Sequence, residues 1–183
     1  MRSIKFFLFG LIFSFCISAV MVPLSLEDLT GESESVVLGH CIDKRVYQEG
    51  KMIWTEYTIQ VYEVLKGEKV KEIKVRQPGG EIGELGIAVS GAVSFAPLEE
   101  VLLFLGKEEK GARAPIGWAQ GKFKIYYDKK TGKKFAHQQL QGVKFVEKGK
   151  KEKLGEKAVS KIELEQLKEE IKAIIKEKQD KKN

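Results

Sequence analysis

A mainly β fold is predicted for this chain: an OB-like closed antiparallel β-barrel with a short N-terminal helix and a C-terminal amphipathic helix. Three observations predict it. Apolar and polar residues alternate from Met52 to Leu65, the period of a half-buried strand. Short strand-like runs follow, with turn residues roughly every eight to twelve positions, a spacing typical of sandwiches and barrels rather than of βαβ units. The Met52–Leu65 run is also longer than a usual strand, and strands of that length coil around small barrels whose closure leaves no free edge.

The chain has 183 residues, 43% hydrophobic and 32% charged, with four prolines. That size suits one buried core, and the composition is that of a globular chain. Arg2 and Lys5 precede an uncharged run from Phe6 to Val22, and Ser18 and Ala19 offer a cleavage point. Residues 1–19 therefore read as a signal peptide, and the protein is expected to be exported, to the periplasm or outside the cell. A retained signal anchor is the alternative, because the run lies at the short end of what spans a bilayer. Membrane association is expected through that segment only. Its removal lowers the formal net charge from +6 to +4. The C-terminal lysines are interleaved with glutamates, so the excess reads as a solvated surface and no nucleic-acid partner is expected. Cys41 is then the one cysteine left, which excludes an intramolecular disulfide. Within "VVLGHC" it fits a buried small hydrophobe, with a reactive thiol or an intermolecular bridge as the sharper reading.

In chain order, Ser25 and Asp28 in "VPLSLEDLTGESES" form a capping pattern for a short helix whose Leu26 and Leu29 face the sheet. A first strand covers 35–47, and "QEGK" turns it into the long return strand. Thr55, Tyr57, Ile59 and Val61 share one face of that strand; the apolar phase then jumps to Tyr62 and Val64, which calls for a bulge near Tyr62–Glu63. Strands are expected at 70–77 and 87–95, joined by a mobile Gly-rich connection, "PGGEIGELG". "VLLFL" at 101–105 reads as a central strand covered on both faces. A charged turn leads to a strand across 113–127 and a hairpin into 133–140. The domain is expected to span 20–146, followed by a charged linker over 147–159 and a helix over 160–178. Ser160 and Glu163 would cap that helix, whose Leu164, Leu167, Ile171 and Ile174 share a face. Packing of the helix on its own domain and binding of a partner are both compatible with this face.

Catalytic machinery is not apparent. His40 and His137 are the only histidines. His40 and Cys41 are adjacent on a strand and point to opposite faces, and no metal-ligand spacing occurs, so no catalytic residue, metal or cofactor is expected. Glu99 and Glu100 precede a strand and are expected in solvent at a turn. The most site-like run is "GWAQGKFKIYY", in which Trp118, Gln120, Lys122 and Phe123 alternate beside Gly117 and Gly121; on a barrel surface such a mixture stacks on sugars or other ligands. Core placement of Trp118 and Phe123 is the competing reading.

The runs "PLSLEDLTGESESVVLGHC", "YTIQVYEVLKGE", "QPGG", "EEVLLFL", "GWAQGKFKI" and "IELEQLKEEI" resemble a family of exported bacterial proteins of unknown function, sometimes attached to matrixin-type metalloproteases. A strand ending in Leu-Lys-Gly after "VVLGHC", with "EEVLLFL" downstream, is similar to netrin-like domains, including tissue inhibitors of metalloproteinases. That resemblance implies an OB-type barrel. Those inhibitors approach the protease zinc with a cysteine at the mature N-terminus, whereas the expected mature end here, near Val20, has none, and their disulfides are missing too. The expected function is a non-enzymatic binding domain for a protein partner, with a secreted protease as a candidate partner; the alternative is a polysaccharide or small-ligand binder on the barrel surface.

Overall fold

The computed structural model describes residues 19–140, 143–145 and 161–181. The expected signal peptide, but for Ala19, and the charged linker at 147–159 lie outside the described residues.

The fold is mainly β. Strand β1 (Ala19–Met21) leads into helix α1 (Leu26–Glu32), which Ser25 and Asp28 start with reciprocal side-chain-to-backbone bonds. Two fifteen-residue strands, β2 (Ser35–Glu49) and β3 (Met52–Lys66), form a hairpin around Gly50 and Lys51. Gly50 sits at φ 63°, the conformation that leads a tight two-residue turn. Three register shifts interrupt the ladder, and one of them leaves Tyr62 without an opposite residue on β2. This is the phase jump visible in the sequence. Another leaves Ile42 bulged on β2.

Strand β4 (Glu72–Pro78) follows β3, and the Gly-rich connection folds into a small hairpin of β5 (Gly80–Ile82) and β6 (Leu85–Ile87). The strand expected at 87–95 does not form beyond Ile87. The chain instead runs as an irregular loop whose Val93 exchanges its backbone N–H and C=O with the Gln77 side chain, so a glutamine amide replaces the ladder. Strand β7 (Glu100–Glu109) extends past the apolar run and turns at Lys110–Gly111 into β8 (Ala112–Pro115). The strand expected across 113–127 is broken by a 3-10 turn (Trp118–Gly121) before β9 (Lys122–Asp128) and β10 (Lys133–Gln138). A Cβ on Gly121 would lie 2.4 Å from the Ile116 carbonyl oxygen, so the chain folds back on itself where an extended strand was expected. β11 (Val143–Phe145) pairs in parallel with β1. β12 (Ile162–Glu163) pairs with β10 and hands over to helix α2 (Leu164–Asp180). The helix thus starts later than the expected 160, because Ile162 and Glu163 are held in the ladder and Glu163 becomes the N-cap residue; Ser160 lies outside the described residues.

The large sheet has the order β12-β10-β9-β7-β2-β3-β4-β8, and β7 also pairs with β8. Every pairing in it is antiparallel except β4 with β8, which is parallel and rests on one pair, Val75 opposite Arg113. Two apolar cores sit on opposite faces of its centre. Val37, Val101, Leu103 and Leu105 join Tyr57, Ile59, Val75 and Phe95 on one face. Val36, Leu38, Leu102 and Phe104 join Leu29, Phe123, Leu164, Leu167 and Ile171 on the other. Period-two geometry therefore explains the unbroken "VLLFL": each face of β7 has its own core, and α1 and α2 cover the second.

Candidate functional site

The weak seam of the sheet is where the site lies. β8 is four residues long, and beyond the Val75–Arg113 pair the parallel strands diverge. Pro78 and Pro115 have no N–H to donate to a ladder there. Arg76, Gln77 and Pro78 on one side and Ala114, Pro115 and Ile116 on the other line a groove of about 640 Å³, together with Trp54 and Trp118. A second cavity of about 560 Å³ opens on the far side of the same pair, between Glu72–Lys74 and Gly111–Arg113.

Backbone strain gathers at the first groove. Among the described residues, three non-glycine residues have positive φ: Leu98, Lys110 and Trp118. Lys110 and Trp118 both line the groove. A large side chain in this left-handed region costs about 1–3 kcal/mol, so the surroundings must enforce it. For Trp118 they do. Gln120 is buried and bonds the backbone of the N-terminal segment twice, accepting from Leu24 N at 2.8 Å and donating to Val22 O at 3.1 Å. Ala119 N donates to Gly91 O, and Gln138 Nε2 to Gln120 O. The turn is fixed, yet the indole it carries remains 39% exposed.

Opposite Trp118, the Arg76 guanidinium lies 3.9 Å from the Trp54 ring centroid and 5.5 Å from that of Tyr47. Glu49 forms ion pairs with Arg76 and, at 2.7 Å, with Lys110. Hydrogen bonds from Lys110 and then Arg76 hold the Glu49 carboxyl below its ordinary range. Four cationic side chains, Arg76, Lys107, Lys110 and Arg113, line the groove against two acidic ones, Glu32 and Glu109.

Of the four residues expected to form a binding face, only Trp118 lies at this groove. The 3-10 turn destroys the alternation that would have aligned them. Gln120 braces the turn, and Phe123 packs in the second core with its ring centroid 5.7 Å from that of Phe104. Lys122 is buried. Its Nζ lies 2.9 Å from Glu99 Oε1, bonds the Ser94 carbonyl and sits 4.4 Å from the Phe95 ring centroid. Glu99 is accordingly not in solvent: its other oxygen accepts from Ala96 N at 2.7 Å. Glu100 pairs with Lys134 and accepts from the Tyr62 hydroxyl. Burial pushes the Lys122 ammonium below its ordinary value, with Glu99 opposing, and raises the Cys41 thiol nearby. This cluster is sealed beneath the 88–99 loop, so it braces the fold.

Sequence reasoning missed Trp54, Arg76 and Lys110. The signal for Trp54 was available, since it falls on the polar face of β3, out of phase with Thr55, Tyr57 and Ile59. The site offers aromatic surfaces and fixed cations, the means of binding. Among the described residues, no group of three His, Cys, Asp or Glu side chains could hold a metal ion, and no helix is long and apolar enough to cross a membrane. In comparison with known proteins, no family model matches the chain and no curated relative does.

Proposed function

We propose that this chain is an exported, non-enzymatic binding domain on an OB-like β-barrel, and that it engages a protein partner, a secreted protease being one such partner, through the groove between β4 and β8. The barrel reading is supported by the pairings of β8 with both β7 and β4, which link five strands in a ring with a partly open seam. Export is supported by the basic, then apolar N-terminal run, and the netrin-like kinship by the Leu-Lys-Gly strand end. One observation carries the binding role: Trp118 is held exposed in a strained backbone at the rim of an apolar groove. Exposed strain of this kind concentrates at functional sites.

The test is capture of proteins from envelope and culture supernatant on the immobilised protein, with a Trp118→Ala variant beside it. The expected outcome is a protein retained by the wild type and depleted on the variant, at matched thermal stability. Equal retention by both would remove the groove from the binding role. Glycan binding is the second reading, favoured by the presence of two indoles, Trp54 and Trp118, in the groove lining; quenching of tryptophan fluorescence by soluble polysaccharide, lost in the same variant, would select it.

A further inference from the structure

Glu49 closes β2 and bonds the two best-placed cations of the groove. The Arg76 side chain is only 12% exposed, its guanidinium carbon lies 3.9 Å from the Trp54 ring centroid, and its Nε is enclosed with no hydrogen-bond partner. Lys110 arrives from the β7–β8 turn in a left-handed backbone. A planar guanidinium and an ammonium converging in this way form a carboxylate site. The present occupant is replaceable: Glu49 is 45% exposed at a hairpin tip, where no core packing depends on it. The groove walls restrict the rest of a ligand. Pro78 and Pro115 deny it a β-ladder, which leaves aromatic surfaces as the grip; a polyproline II chain needs no ladder and docks on aromatic-lined grooves.

Resting on the reading that the groove is the partner site, we propose that its occupant is an acidic, proline-containing segment of a protein partner. The segment lies extended against Trp54 and Trp118, and one of its carboxylates takes the place of Glu49 between Arg76 and Lys110. Glu49 thus holds the site in the free protein and sets a threshold that weakly acidic segments do not pass.

The experiment is fluorescence polarisation of the purified protein with a short labelled peptide of repeating Glu-Pro-Pro, beside Lys-Pro-Pro and Glu-Gly-Ser repeats. The Glu-Pro-Pro peptide is expected to bind best and to weaken as salt is raised. Glu49→Gln should tighten it about two- to fivefold, the range set by removing an exposed competing ion pair. Lys110→Gln and Trp118→Ala should weaken it. No binding of the Glu-Pro-Pro peptide to wild type, equal binding of the Lys-Pro-Pro peptide, or no tightening in Glu49→Gln overturns the inference. If partner capture still depends on Trp118 in that event, the groove stands and only its ligand class falls. Should capture ignore Trp118, the groove itself is refuted.

Discussion

Lys122 Nζ and Glu99 Oε1 are 2.9 Å apart, with the two side chains only 4% and 5% exposed. Around them the 88–99 loop is tied down: Lys122 bonds Ser94 O, Glu99 bonds Ala96 N, and Phe95 packs against both the ammonium and Tyr57. The charge pair thereby joins the Gln77–Val93 bonds and the Cys41 backbone bonds in ordering a stretch without regular secondary structure. Removing Lys122 leaves the buried Glu99 with the longer contact to Lys124 at 3.9 Å; loss of one partner of a buried pair costs about 3–5 kcal/mol, whereas replacing both with apolar groups is often close to neutral. Lys122→Met is therefore expected to lose stability of that order, and Lys122→Met with Glu99→Leu to regain most of it. Urea titrations of the three proteins would check this, and a double variant no better than the single one would refute it.

The same lysine gives a pH dependence. Burial lowers its folded pKa below the ordinary 10.5, so between the two values the unfolded chain binds more protons than the folded one. Stability from this group therefore rises with pH through that window and is flat below it, where both states are protonated. The difference in unfolding free energy between wild type and Lys122→Met should grow as pH is raised toward 10.5. Parallel curves would mean that the ammonium is not destabilised by its burial.

Lys66 explains the abrupt end of the long strand. Its Nζ donates to the carbonyls of Thr30 at 2.7 Å, Ser33 at 2.5 Å and Gly31 at 3.4 Å, satisfying oxygens at the C-terminal end of α1. Gly67 then turns at φ 93°, where a Cβ would meet the Glu34 carbonyl oxygen at 2.9 Å. Lys66→Met should cost about 1.5–3 kcal/mol, the scale of hydrogen bonds to a charged donor. Hydrogen exchange should show faster opening of α1 than of β7. A uniform loss across both would assign Lys66 a global role instead.

What the sequence disclosed followed from local periodicity. The α1 capping box, the doubly covered β7 and the Tyr62 bulge are each written in a few neighbouring residues, and each appears in the fold. The groove was not legible, because Trp54, Arg76 and Lys110 come from β3, β4 and the β7–β8 turn and meet only through the β3–β4 ladder and the Glu49 bridge. The run at Trp118 misled for a related reason. Alternation implies a strand only if the backbone stays extended, and the crowding around Gly121 prevents that. Glu99 looked solvated because its partner, Lys122, lies beyond an entire hairpin.

Leu98 offers a prediction whose sign runs against the usual effect of removing a large apolar side chain. Glu99 N donates to Ala96 O at 3.1 Å across Pro97 and Leu98, and Leu98 has φ 60°. Proline second and positive φ third are the features of a type II turn, whose third position favours glycine. The Leu98 side chain is 72% exposed and so contributes little burial to offset the strain. A left-handed conformation costs an L-residue roughly 1–2 kcal/mol, while glycine gives back about 0.4–1 kcal/mol through the freedom of the unfolded chain. Leu98→Gly should accordingly stabilise the protein by about 0.5–1 kcal/mol in urea titration, and Leu98→Ala, which keeps the Cβ and its strain, should not. If glycine destabilises and alanine matches it, the leucine side chain is making contacts that outweigh its backbone strain, and the turn is held by packing.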